Sequence, residues 1–150
     1  MAMHLQLITL SGVSVDTDVY EVVAPTPLGP IAIFPDHEAL VTMASQGALA
    51  IRYKKGDTGA KIDFFAISGG IIEIENNVIR VLVDEADYGD DIIEAESQAA
   101  LDRALKLRDE AKTRVELDKA HQLIDRHKVR LRVAELHRRY RGSGNKPPRA

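Results

Sequence analysis

The hydrophobic period of this chain changes once, near residue 86, and that change constrains the fold more than any other feature. Before it, apolar residues recur in steps of two: "HLQLITL" at 4–10, "DVYEVVA" at 18–24, "GPIAIF" at 29–34, "ALAIRY" at 48–53, "KIDFFAI" at 61–67, "IIEIE" at 71–75 and "VIRVLV" at 78–83. Alternation places successive side chains on opposite faces of a strand, so each segment reads as a half-buried strand. Strands this short, separated by Gly, Pro, Asp and Asn turns, predict an antiparallel β-sandwich or flattened barrel over 1–86.

Within that region, "SGGIIEIENNVIRVL" at 68–82 raises a specific question, because a double glycine can open a phosphate-binding loop. Such a loop needs a helix directly behind it, so that free N–H groups and the helix dipole face the anion. Here Gly70 leads into an alternating strand. Asn76-Asn77 suits the two positive φ values of a type I′ turn, since Asn tolerates the left-handed region. The segment therefore predicts a β-hairpin, with Gly69 and Gly70 as a bulge or sharp bend between consecutive strands.

Beyond Gly89 no Gly or Pro occurs before Gly142, and the period becomes helical. Ala100, Ala104, Leu107 and Ala111 predict one face of a first helix; Leu117, Ala120, Ile124, His127, Leu131 and Ala134 predict a seam on a second. Between them, Thr113 and Glu116 have the spacing of a capping box, which starts a new helix and favours a two-helix hairpin over one long rod. Residues 87–141 are expected to form that hairpin, and "GSGNKPPRA" at 142–150 a flexible tail. Alanine lets helices approach closely but buries little area, so the hairpin should depend on docking against the sandwich or a partner, and be releasable from it.

A net charge of −3 conceals a gradient. Residues 1–86 carry five basic residues against eleven acidic, and 113–150 carry eleven basic against four acidic. An acidic body with a basic end predicts that the end meets an acidic surface, whether protein, nucleic acid or lipid. The excess concentrates in "RHKVRLRVAELHRRYR" at 126–141, where Arg126, Lys128, Arg130, Arg132, Arg138, Arg139 and Arg141 face a single acid, Glu135. Val129, Val133, Leu136 and Tyr140 form a second apolar stripe on the same helix. A helix apolar on two sides and basic elsewhere is built to be surrounded, either with a solvated Arg-rich face or inserted in an acidic protein cleft.

Catalytic chemistry finds little support. Cysteine is absent, which removes disulfides, thiolate metal sites and cysteine nucleophiles. His4, His37, His121, His127 and His137 lack the four-residue helical spacing of a zinc pair. Asp90-Asp91 and Asp109-Glu110 are sequence neighbours that diverge around a helix, so they read as solvated faces or dipole partners. Ser68 has no helix behind it and cannot form a nucleophile elbow. With no Trp and 5% aromatic residues, stacking platforms for sugars or bases are scarce, and the acidic body opposes nucleic acid. No catalytic residue, metal or cofactor is predicted. The start lacks a signal-peptide pattern and no apolar run reaches bilayer length, so an intracellular chain without membrane insertion is expected.

"GPIAIFPDHEALV" at 29–41, "FAISGGIIEIENNVIRVLVDEA" at 65–86 and "LRVAEL" at 131–136 together resemble the epsilon subunit of bacterial and chloroplast F-type ATP synthases, the counterpart of the mitochondrial delta subunit. The resemblance is collinear over roughly residues 3–141. It implies a non-catalytic rotor subunit: a sandwich that binds the gamma subunit and sits on the ring of c subunits, coupling proton or sodium flow to rotation. It also implies a hairpin that can extend into the catalytic hexamer, where the basic residues at 126–141 meet an acidic segment of a beta subunit beside alpha and block ATP hydrolysis. Such an assembly places the chain at the cytoplasmic face of a bacterial membrane. At the gamma- and c-ring-facing loop, Pro35, His37 and Leu40 match the family pattern, while Pro30, Ala32, Asp36 and Ala39 depart from it. Some members bind ATP through an Asp and an Arg three residues apart on the hairpin; Ile93 and Glu96 stand at those positions here, so no ATP binding in that mode is expected. A β-sandwich adaptor with a basic helical tail for an acidic protein or nucleic acid is the alternative.

Overall fold

The computed structural model describes residues 2–141; the expected tail at 142–150 lies outside them. Ten strands occur among the described residues: β1 Met3–Thr9, β2 Gly12–Val19, β3 Glu21–Thr26, β4 Gly29–Ile33, β5 Leu40–Ala44, β6 Gly47–Arg52, β7 Ile62–Ile67, β8 Gly70–Glu75, β9 Val78–Val83 and β10 Ala86–Tyr88. Two helices follow, α1 Glu94–Glu110 and α2 Arg114–Arg141. The strands form two five-stranded sheets, ordered β2-β1-β9-β8-β5 and β10-β7-β6-β3-β4. All pairings are antiparallel except β1 with β9, which is parallel. The predicted β-sandwich followed by a helix pair is the observed architecture.

Alternation builds the core directly. Leu5, Leu7, Val22, Ala24, Ile33, Leu49, Ile51, Ile67, Ile72, Ile74, Ile79 and Val81 point between the sheets and are buried, each large side chain contributing about 1.5–3 kcal/mol of transfer free energy. The β8–β9 hairpin is as predicted, with Asn76 at φ 50° and Asn77 at φ 60°. Ser68 and Gly69 carry the chain from the second sheet to the first. Gly70 then packs so closely that a Cβ would stand 1.9 Å from the Leu82 carbonyl oxygen.

β7 is buried on both faces because α2 covers its outer side. Phe65 and Ile67 face the sandwich core, while Phe64 and Ala66 meet Val133, Ala134 and Ile92. On its other side α2 packs Ile124 against Leu101 and Ala104 of α1. The buried face of α1 is Ser97, Leu101 and Ala104, one position round from the expected stripe, and Leu107 is exposed.

Candidate protein-interaction site

Three surfaces carry the side chains that sequence reasoning or the fold singles out. The first is the outer face of the β2-β1-β9-β8-β5 sheet, opposite the helices. Register sets Met43 beside Ile71, Ile71 beside Leu82, Leu82 beside Ile8 and Ile8 beside Val13, one apolar row across all five strands. Met43 is 65% exposed, Val13 61% and Ile71 46%, so none of the described residues covers the row. The adjacent row reads Val41, Glu73, Arg80, Gln6 and Asp16. Such a row of unpaired apolar side chains with a charged border is the composition of a protein-docking face.

Beyond that border His4 bonds Asp18 through Nδ1 at 2.8 Å and Asp16 through Nε2 at 2.6 Å. Those two bonds, Asp18 first, raise the His4 pKa above its ordinary value.

The second surface is the β4–β5 connection. Asp36 takes φ 64°, its N–H donates to Asn77 Oδ1 at 2.6 Å, and Asn77 Nδ2 returns a bond to Asp36 Oδ1 at 3.1 Å. The loop is thus pinned to the β8–β9 turn. His37 Nδ1 donates to the Glu38 carbonyl at 2.7 Å, a turn role that leaves its ring half-buried beside half-buried Pro35. Leu40 is exposed at the start of β5, in register with Ile74 and on the opposite face of the strand from Val41. The departure at Asp36 has a local function, since an acidic side chain there accepts from Asn77.

The third surface is α2. Arg126 Nε lies 3.1 Å from Glu85, and Arg130 pairs with Asp87 while its Nε points at Ser97 Oγ at 3.5 Å. His137 Nε2 is 3.2 Å from Asp90, and Arg138 holds both oxygens of Glu94 at 2.9 and 3.0 Å. Arg141 pairs with buried Asp63, and its Nη2 donates to Tyr88 Oη at 2.5 Å. Asp63 also accepts from Tyr53 and Tyr88 at 2.7 and 2.8 Å. Burial, reinforced by Asp63, pushes both phenols up. Arg139 pairs with Glu135 one turn away at 2.9 Å, and Lys128 and Arg132 are exposed. His127 is pushed down by burial and then by Arg126, Arg130 and Arg103. Five of the seven basic residues that sequence reasoning aimed at an acidic surface, Arg126, Arg130, Arg138, Arg139 and Arg141, therefore meet acids of the same chain.

Sequence reasoning located the basic helix and the loop but missed the row of Ile8, Val13, Met43, Ile71 and Leu82. Its trace in the sequence is adjacent apolar pairs such as Ile71-Ile72, Leu7-Ile8 and Val81-Leu82, which break strict alternation by placing apolar groups on both faces. Among the described residues no cluster of three or more His, Asp or Glu is arranged to hold a metal ion, and no helix is long and apolar enough to cross a membrane.

Comparison with known proteins agrees with this geometry. The family described as ATP synthase, Delta/Epsilon chain, beta-sandwich domain matches residues 2–89. The ATP synthase epsilon chain of Rippkaea orientalis is 33% identical over 111 residues, covering 74% of this chain and 78% of that protein. That of Roseiflexus sp. is 39% identical over 100 residues, covering 67% and 68%. A chain in the structure of Euglena gracilis mitochondrial ATP synthase, OSCP/F1/c-ring, superposes with a TM-score of 0.76 at 20% identity, covering 91% of this chain and 82% of that one, a likeness of fold. The sandwich, the helix pair and these relatives together place the chain in the epsilon-subunit family of F-type ATP synthases.

Proposed function

We propose that this chain is a non-catalytic rotor subunit of the central stalk, transmitting ion-driven rotation of the c-ring, with its helix pair as an inhibitor of ATP hydrolysis. The observation that carries the reading is the uncovered apolar row from Met43 to Val13, a surface that costs solubility unless a partner covers it. The gamma subunit is the partner proposed for that face. The loop of Pro35, His37 and Leu40, pinned by Asp36 and Asn77 at the edge of the same sheet, is proposed to lie where gamma meets the c-ring. The inhibitory state has α2 leave the sandwich and present Arg126, Lys128, Arg130, Arg132, Arg138, Arg139 and Arg141 to an acidic segment of a beta subunit beside alpha.

The small side chains at the docking contact support a releasable helix. Ala48, Ala50, Ala66 and Ala134 surround Phe64 and Val133 there, and a thin apolar contact leaves a gap that a few kcal/mol of alternative contacts can reverse. No nucleotide enters this scheme: Ile93 and Glu96 occupy the positions where relatives would need Asp and Arg. As a part of a membrane-bound complex the chain is proposed to act at the cytoplasmic face.

The test is ATP hydrolysis by the catalytic complex of the same organism, with the full chain and with a chain ending at Gly89. Inhibition by the full chain alone, with both binding gamma, supports the reading. Binding by both without inhibition leaves a coupling element only, and absence of gamma binding by either favours a β-sandwich adaptor for another acidic partner.

A further inference from the structure

The segment Asp84–Glu94, "DEADYGDDIIE", carries six carboxylates and no Lys or Arg in eleven residues. It leaves β9, forms β10 and the single turn at Gly89–Asp91, and enters the first turn of α1. Along that course it lies against α2, and the contacts follow the same order on both: Glu85 with Arg126, Asp87 with Arg130, Asp90 with His137 and Glu94 with Arg138. Residues 126, 130 and 137 differ by four and seven, so they fall on one line of the helix. Ile92 adds an apolar anchor beside Val133.

We propose that this acidic strap is an internal stand-in for an acidic protein segment, occupying the basic face of α2 in competition with a partner that carries carboxylates. The inference rests on α2 as the partner-binding helix, but concerns what restrains it. Strap and partner need the same guanidinium groups, so the partner's apparent affinity falls with the fraction of chains whose helix is free. The pairs at Glu85 and Glu94 are largely solvent-exposed, and each such pair contributes little. The restraint is therefore graded, and several partner carboxylates acting together can displace it.

The test uses the full chain with Glu85→Gln, Asp87→Asn and Glu94→Gln, which leaves α2 and buried Asp63 unchanged. Because the chain has no cysteine, Ser14→Cys and Gln122→Cys allow two dyes to report the separation of α2 from the sandwich. A poly-glutamate peptide at low salt is the binding probe. The neutralised chain is expected to show a larger dye separation and to bind the peptide about tenfold more tightly, since three weak pairs are removed from the competition. Glu85→Arg alone should shift both readouts the same way, and adding Arg126→Glu should reverse the shift. Unchanged dye separation with unchanged peptide affinity overturns the strap. So does loss of helical circular dichroism without tighter binding, because the carboxylates would then hold the helix together without masking it. If the neutralised chain binds the peptide more tightly but inhibits ATP hydrolysis no better than the parent, the strap stands and the inhibitory role of α2 falls.

Discussion

Two residues show how single atoms decide this fold. Gly70 brings its Cα against the β9 backbone, where an added Cβ would meet the Leu82 oxygen at 1.9 Å. Backbone on both sides leaves nothing flexible to move, so Gly70→Ala is expected to cost about 3 kcal/mol, as overpacking of a close contact does. Urea unfolding of the purified chain measures it, and a loss within error of zero means the crossing relaxes freely. His4 works by charge instead of space. Its pKa is raised above 6.5 by Asp18 and Asp16, so its contribution is fully present below 6.5 and is lost as pH rises through the raised value. A His4→Gln chain should be less stable than the parent in mild acid and equally stable in mild alkali; a constant difference across that range removes the ion pairs as its cause. The effect is small because the ring is partly solvated and solvent screens the pair.

At the scale of elements, the interior strands were legible in the sequence and three of the four edge strands were not. β1, β3, β4, β6, β7, β8 and β9 were all visible as alternation, and all but β4 lie inside a sheet. β2, β5 and β10 were missed, and all three are edges. An edge strand has one neighbour and buries less, so "GVSVDTDV" can spend its positions on Asp, Ser and Thr without cost to the core. The helix break at Thr113 was legible because capping is local chemistry. Glu116 N–H donates to Thr113 Oγ1 at 3.2 Å, while the Glu116 carboxylate accepts from Lys112 N–H at 2.9 Å, one residue earlier than the reciprocal pattern requires. Thr113→Ala should destabilise the start of α2 by about 1 kcal/mol. Hydrogen exchange at the Glu116 and Leu117 amides is the measurement, and equal protection in both chains would show that the Glu116–Lys112 bond alone caps the helix.

For the whole molecule, the two outer faces of the sandwich are proposed to have different tasks, and only one of them is visible without the fold. The basic excess of α2 is written in consecutive residues, but the row from Met43 to Val13 draws one residue from each of five strands and exists only once register is known. Its strap of carboxylates was likewise legible as charge but not as a partner of α2, because the order of contacts depends on where β10 leaves the sheet. The two faces should therefore fail separately. Val133 is fully buried between α2 and the sheet, so Val133→Asp places an unpaired charge there and should release the helices while the sandwich still unfolds cooperatively. Protease cleavage within 114–141 reads that release, with gamma binding retained. Met43→Asp with Ile71→Asp should do the reverse, because both side chains are already in water and their replacement costs the isolated chain little. Gamma binding should fall by about a hundredfold, the loss expected when charge is set into the apolar centre of an interface, while unfolding and protease resistance stay as in the parent. If Val133→Asp abolishes gamma binding as well, the docked helices belong to the gamma surface, and the row across the first sheet must be assigned to another partner.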